Sequence, residues 1–471
     1  MNLWTAIFTI GIVCTIYTTL GGLKAVIWTD VFQGAVVIVM LIVTLFMSAD
    51  SIGGWHEVWR INHDTNRFVF NDFDFDPRIR HTFWNLIIGL TFLWGSMYAT
   101  TQSQVQRYLA CSSPRKANQA LVFSMLLIAL SLLLCLLIGL VTYAYFHNCD
   151  PLMTREVSSA DQLVPLMVLR IFRNQPGLSG AFLAAVFAGS LSTVSSGINA
   201  MACVTSEDFI RPFVKWSDRT MTILAKVLVL LYGLLTIGFA CLSSILGNVL
   251  QTTLTLLAVI GGPTLGIYTL GIVFPPANSY GTFSGFVVGL AIITWIYAGS
   301  QRYRLPVQFL KPKYRSVSGC PVPVTDLLIN STMEMMTSIP VTSEMEVFNT
   351  TAVPQLPGPE PRPPLADFYS VSYTSYAPIG FGITLVVGLI ISLLTGGHRN
   401  VKHVDPKLIV PLFDHPILKS CLPKSFRKMM WCGVDHDKVD DKTDRIPAND
   451  ILKHKNGQEN PTFEAQDELK V

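Results

Sequence analysis

The chain has 471 residues, of which 50% are hydrophobic and only 14% are charged, and its formal net charge is +3. Soluble globular domains carry about 25% charged residues. The composition therefore excludes an ordinary soluble domain and indicates a protein with several membrane spans. The small net charge gives no indication of nucleic acid as a partner.

Apolar segments long enough to cross a bilayer, about 17 to 25 residues each, occur nine times along the chain. They are residues 3–20, 26–48, 82–101, 119–147, 179–203, 220–245, 248–275, 279–299 and 372–395. Because lipid offers no partner for backbone polar groups, the predicted fold class is an all-α helical bundle. Segment 248–275 contains Gly261-Gly262-Pro263, which predicts a break or a kink in its helix.

The second segment carries one carboxylate, Asp30, four residues inside an apolar helix. An ionised Asp in a membrane helix is costly unless it meets a cation or lines a pathway. The alternative is structural: Asp30 is favoured by the dipole at the N-terminal end of its helix, or it pairs with Lys24. The residues alone leave both interpretations open.

The third segment contains Trp94 and Tyr98. Aromatic residues of this kind often form a belt at the membrane interface. Trp94 lies about two-thirds of the way along the segment, which is deeper than a belt would place it, and this favours a role inside the bundle.

The fifth segment has an unusual density of hydroxyl groups between Gly189 and Asn199. On a helix, Ser192, Ser195, Ser196 and Asn199 fall at positions i, i+3, i+4 and i+7, so their oxygens share one face. Such a face is suited to replacing part of the hydration shell of a cation, and sodium is the natural candidate. The alternative is that the hydroxyls bond back to helix carbonyls or join two helices.

The two long polar segments indicate which parts of the chain lie on each side of the membrane. The loop at 300–371 carries two glycosylation sequons, at Asn330 and Asn349, and the tail at 396–471 is rich in Lys and Arg. The loop is therefore predicted to be extracellular and the tail cytosolic and disordered. On this topology Cys149 and Cys320 are the extracellular cysteines, so we predict a disulfide between them, the alternative being that both are free.

The same topology places Met1 outside, although no signal peptide precedes it. We therefore expect the chain to lack an N-terminal portion or to be a short isoform. All nine histidines lie in loops, at span edges or in the tail, and the chain has no phosphate-binding G-x-x-x-x-G-K-[ST] motif. The chain is thus not predicted to be an enzyme. The spacing of Gly281, Gly285 and Gly289 predicts a helix-packing stripe.

Several runs together resemble a known family. They are Tyr17 to Gln33 (YTTLGGLKAVIWTDVFQ), Gln104 to Tyr108 (QVQRY), Cys149-Asp150-Pro151, and the stretch from Ser190 to Asp208. The chain is similar in these runs to the sodium/solute symporter family, and most similar to the branch that holds the sodium-coupled monocarboxylate transporters, the sodium/iodide symporter and the multivitamin transporter. The resemblance implies a LeuT-like fold of inverted repeats. It also implies that the chain is N-terminally truncated and begins at the fourth helix of the first repeat.

The resemblance also implies site residues, position by position. Sodium would be bound by the side chains of Ser192 and Thr193 and by the Gly189 carbonyl, and Asp30 and Ser196 would line a second cation site or an exit path. Trp94, Tyr98, Gln251 and Leu254 would face the substrate. Ala99-Thr100-Thr101 and Gly89-Leu90 depart from the family pattern, which puts the identity of the substrate in doubt.

The expected function is sodium-coupled symport of a small organic anion, such as lactate, a short-chain fatty acid or nicotinate, across the plasma membrane. Sodium is the coupling ion, and no organic cofactor is expected. The expected organisation is a membrane core at 1–299, the loop at 300–371, a last span at 372–395 and the tail at 396–471. As a truncated chain, it is expected not to transport. The alternative is a short isoform that regulates the full-length transporter, with Asn460-Pro461-Thr462-Phe463 and the terminal Leu469-Lys470-Val471 as candidate adaptor and PDZ ligands.

Overall fold

A computed structural model describes residues 3–68, 72–243, 249–303, 315–320 and 366–397, together with 409, 410 and 423. Every regular element in these residues is helical. The helices are α1 (Leu3–Ser51), α2 (Trp55–Asp64), α3 (Phe83–Thr100), α4 (Gln102–Leu109), α5 (Pro114–Phe146), α6 (Leu163–Ile171), α7 (Leu178–Val204), α8 (Asp218–Ser243), α9 (Val249–Val273), α10 (Ser279–Arg302), α11 (Ala366–Tyr369) and α12 (Tyr376–Leu394). The predicted all-α fold class is confirmed.

Among the described residues, seven helices are long and apolar enough to cross a membrane. They are α1, α5, α7, α8, α9, α10 and α12, each with minor extensions or trims at its ends. The sequence predicts nine spans, and the difference has two sources. The first two predicted spans are joined in α1, and α3, with 18 residues and a buried Asn85, is not among the seven.

Helix α1 is two helices joined at a sharp break. Its 49 residues would extend about 73 Å if straight, but Gly22 has a φ of 55° and a ψ of −156°. Tyr17 and Asp30 would then lie about 20 Å apart. Instead, the Tyr17 hydroxyl donates to the Leu191 carbonyl and Asp30 accepts from Ser196, only five positions along α7. The chain therefore turns back at Gly22, as the two predicted spans require.

Of the break or kink predicted at Gly261-Gly262-Pro263, the break does not occur. Helix α9 continues through Pro263, because α12 packs against this motif and is shaped to receive it. A Cβ on Gly380 of α12 would lie 2.8 Å from Pro263 Cδ, and a Cβ on Gly262 would collide with the Ala377 backbone. The motif brings two helices close together, and neighbouring helices commonly accommodate proline in membrane bundles.

The predicted glycine stripe on α10 packs against α12. Gly281, Gly285 and Gly289 are all buried, and an added Cβ at any of them would meet α12 too closely. Helices α3, α9, α10 and α12 share a core that includes Leu93, Ile293 and Tyr376. Helix α7 lies outside this core and packs against α1 and α8.

Several sequence predictions fall outside the described residues. They are the sequons at Asn330 and Asn349, most of the 300–371 loop, almost all of the 396–471 tail, and the two short motifs near the C-terminus. They stay predictions.

The segment 315–320 lies against the end of α5. The structure joins Cys149 and Cys320 by a disulfide with a Cα–Cα distance of 4.9 Å. Two backbone bonds of 3.0 Å run alongside it, from the Asp150 amide to the Ser316 carbonyl and from the Gly319 amide to the Asn148 carbonyl. These contacts hold the segment 315–320 against the residues that follow α5.

We expect peptide mapping without reductant to recover Cys149 and Cys320 in one cross-linked species. Replacing either residue with serine should remove that species and lower the yield of folded protein, because closing a loop of 171 residues is worth about 5 kcal/mol in the chain-entropy estimate. Cys135→Ser is the control, since Cys135 is a free thiol on the exposed face of α5. Alkylation of both cysteines without reductant would contradict the assignment.

Candidate functional site

The hydroxyl cluster of α7 divides into two groups. Three hydroxyls bond back to their own helix: Ser190 donates to the Val186 carbonyl at 3.2 Å, Thr193 to the Gly189 carbonyl at 3.3 Å, and Ser195 to the Ser192 carbonyl at 3.1 Å. This is the structural alternative that the sequence left open, and it holds for three of the five hydroxyls. The remaining serines, Ser192 and Ser196, lie beside α1.

Asp30 of α1 meets both Ser196 and an arginine. Arg107 Nη2 lies 2.5 Å from Asp30 Oδ2 and 2.7 Å from Ser196 Oγ, and the Ser196 hydroxyl donates to the same carboxylate oxygen at 3.2 Å. The side chains of Asp30 and Arg107 are 12% and 35% exposed. Three separate elements, α1, α4 and α7, therefore meet at one charge-assisted cluster.

This cluster changes the interpretation of Asp30. The sequence offered Lys24 or a cation as its partner, and the structure supplies Arg107 from 77 residues away. The guanidinium occupies the Oδ2 side of the carboxylate. The other oxygen, Asp30 Oδ1, is buried and has no hydrogen-bond partner within the described part of the chain.

The three residues predicted for the main sodium site lie on an accessible turn of α7. Gly189 and Thr193 are exposed and Ser192 is half-buried. Hydroxyl and carbonyl oxygens of this kind are ligands for a hard cation. Polar groups avoid lipid, so this face is suited to line a watery cavity or to meet further protein.

The residues predicted to face the substrate lie on α3 and α9. Trp94 and Tyr98 lie together on α3, with ring centroids 6.1 Å apart. Gln251, in the first turn of α9, accepts a hydrogen bond of 3.3 Å from Arg80. Leu254 packs, partly buried, against the core of α3, α9, α10 and α12.

Sequence reasoning assigned no role to Arg107 or Arg80. Arg107 belongs to the QVQRY run that carries the resemblance, and Arg80 lies two residues before the third apolar segment. These two positions are the sequence features that could have indicated a functional role for Arg107 and Arg80. The partners, Asp30 and Gln251, are 77 and 171 residues away, and such pairings are not readable from spacing.

A helical bundle with a broken first helix, a hydroxyl-rich helix and a charged cluster between them defines a polytopic membrane protein of the LeuT-like class. A solved structure of a Na+-coupled sialic acid symporter, in a substrate-bound outward-open state, has this fold: the TM-score is 0.57 at 19% identity, covering 84% of this chain and 67% of that one. The family model of the sodium:solute symporter family matches residues 1–289. The chain belongs to that family.

Named relatives support this membership. The chain is 38% identical to mouse sodium-coupled monocarboxylate transporter 2 over 439 residues, covering 93% of the chain and 66% of the relative. It is 40% identical to human sodium-coupled monocarboxylate transporter 1, covering 88% and 66%. It is 37% identical to the human sodium/iodide cotransporter, covering 89% and 67%. The chain thus spans about two-thirds of the length of these relatives.

Proposed function

We propose that the chain acts in sodium-coupled symport of a small monocarboxylate, and that it supplies one wall of the sodium site. The observation that carries the proposal is the turn of α7 from Gly189 to Ser196. It presents accessible oxygens at Gly189 and Thr193 and places Ser196 against Asp30. The named relatives, sodium-coupled monocarboxylate transporters, support the substrate class.

Sodium coupling would supply the driving force for uptake of an anion. A tenfold sodium gradient contributes about 1.4 kcal/mol per ion, and a membrane potential near 70 mV adds about 1.6 kcal/mol per charge. The sum is about 3 kcal/mol per sodium ion, but entry of a monovalent anion against the same potential costs about 1.6 kcal/mol. One sodium per anion therefore supports roughly tenfold accumulation, and each further sodium adds roughly a hundredfold. The proposal includes a plasma-membrane location with a cytosolic C-terminus, supported by the basic tail and by the sequons at Asn330 and Asn349.

The sodium assignment is tested on purified protein. Sodium should raise the midpoint of thermal unfolding relative to choline, by an amount equivalent to about 1.4 kcal/mol when sodium is tenfold above its dissociation constant. The double substitution Ser192→Ala with Thr193→Ala should remove this stabilisation, because it removes both side-chain ligands. Ser190→Ala is the matched control, since Ser190 lies on the same helix and bonds only back to Val186. Unchanged sodium stabilisation in the double variant would refute the site.

An uptake assay distinguishes transport by the chain from the alternative, regulation of a full-length transporter. Cells that express this chain alone can be given labelled lactate or nicotinate with and without sodium. Sodium-dependent uptake would support transport by the chain itself and would contradict the expected incompetence. Lack of uptake by the chain alone, with altered uptake when it is co-expressed with a full-length relative, would favour the regulatory alternative.

A further inference from the structure

Arg80 differs from the other partly buried arginines in the described residues. Arg78, Arg107 and Arg211 each lie within 4.0 Å of a carboxylate, and Arg67 lies over the Tyr143 ring. Arg80 has no carboxylate at that distance among the described residues, and its hydrogen-bond partner is the neutral amide of Gln251. A guanidinium carries five donors, so most of its binding capacity is open to an anion.

The position of Arg80 suits an entrance to the bundle. It lies two residues before Thr82, the N-cap of α3, and contacts the first turn of α9. Helices α3 and α9 share a core, and Trp94 lies about 18 Å further along α3 from that cap. Arg80 thus lies at the end of α3 that the topology predicts to be extracellular, with the Trp94–Tyr98 pair deeper in the same helix.

The histidine next to Arg80 adds no second positive charge. His81 contacts the Tyr373 hydroxyl through Nε2 at 2.9 Å. Its pKa lies below the ordinary value, because neighbouring atoms partly exclude water from the ring and because the Arg80 charge opposes a second positive charge. His81 is therefore neutral near pH 7 and adds no charge there. Arg78 pairs with Asp76 and Asp367, which leaves Arg80 as the guanidinium of this loop with no carboxylate within 4.0 Å among the described residues.

We propose that Arg80, with Gln251 beside it, is the binding point at which a small anionic substrate is captured before it reaches Trp94 and Tyr98. This inference rests on the proposed function and adds the residue that selects for negative charge. A carboxylate would accept two parallel hydrogen bonds from the guanidinium, the geometry that arginine offers and lysine does not. A halide is a single spherical ion, so it would be attracted by the charge of Arg80 but would not accept the two parallel hydrogen bonds.

Equilibrium binding of labelled lactate and of labelled iodide to the purified chain tests the proposal. Arg80→Gln should weaken lactate binding roughly tenfold or more, since it removes charge-assisted hydrogen bonds. Arg80→Lys should weaken lactate binding more than iodide binding, because lysine keeps the charge but lacks the paired N–H donors that bind a carboxylate. Arg78→Gln is the control in the same loop, because Arg78 is committed to Asp76 through a bond of 2.8 Å and holds the pKa of that carboxyl below its ordinary value.

The outcomes are distinguishable from those of the sodium test. Equal anion affinity in Arg80→Gln and in the unchanged chain would overturn the proposal, as would an absence of anion binding in a chain that sodium stabilises. If sodium stabilised neither the unchanged chain nor any of the variants, the result would instead count against the proposed function. Thermal unfolding of Arg80→Gln in sodium checks its folding, and a normal midpoint assigns the lost affinity to Arg80 itself.

Discussion

Replacing Arg107 with glutamine is expected to destabilise the folded protein by about 2 kcal/mol. Removing one partner of a buried ion pair costs on the order of 3 to 5 kcal/mol, because the other charge is left uncompensated. Asp30 is 12% exposed and would be left in that state, while the 35% exposure of Arg107 reduces the expected cost. Thermal or denaturant unfolding in detergent measures the change.

The partner substitution makes this test specific. Asp30→Asn removes the charge that Arg107 meets, so the double variant should be less destabilised than the sum of the two single variants, by about 1 kcal/mol or more. Arg170→Gln is the control for loss of an arginine. Arg170 pairs with Glu156, and both side chains are 42% exposed, so its loss should cost less than about 1 kcal/mol. Additive effects of the two substitutions at the cluster would show that the pair does not interact.

Under the proposed function, we expect the Arg107–Asp30 pair also to control cation access. While Arg107 contacts both Asp30 and Ser196, a sodium ion moving along α7 meets a positive charge at this turn. Release in that direction requires the pair to separate. A change in sodium dependence in Arg107→Gln, without a change in Arg170→Gln, is the result that this mechanism expects.

The sequence predicts the fold class because hydropathy and the absence of water in lipid leave few alternatives. It also predicts the region of the candidate site, since hydroxyls are unusual on a membrane helix. It does not predict how those hydroxyls bond. Thr193 and Ser196 are three residues apart on α7, yet one bonds to its own helix and the other to Asp30. That difference depends on which helix lies alongside each residue, which is tertiary information.

At the Gly261-Gly262-Pro263 motif, the sequence predicts a local feature that the tertiary structure overrides. Local rules correctly identify Pro263 as a residue that removes a backbone donor, and they predict a break or a kink. The actual outcome depends on Gly380, 117 residues later, which leaves room for the proline ring. The same kind of distant complementarity makes the glycine stripe of α10 sensitive to small changes.

Replacing Gly285 with alanine is expected to destabilise the protein by about 2 to 3 kcal/mol. An added Cβ would lie 2.6 Å from the Thr384 carbonyl oxygen and 2.9 Å from Gly388 Cα. Both contacts are with the backbone of α12, which cannot move aside as a flexible side chain would, so α10 and α12 must separate. Overpacking of this kind typically costs 1 to 3 kcal/mol. Unfolding in detergent, followed by helix content or thiol accessibility, measures the loss.

Gly382→Ala is the matched control on the facing helix. A Cβ there meets no atom within 4 Å, so the substitution adds the same methyl group without a collision. Alanine is favoured over glycine inside a helix by up to about 1 kcal/mol, so Gly382→Ala should leave stability unchanged or raise it slightly. Opposite changes in the stability of the two variants would identify the close approach of α10 and α12 as the cause. Equal stability of both variants would mean that the stripe tolerates a side chain, and would contradict the packing that the sequence and the structure both assign to it.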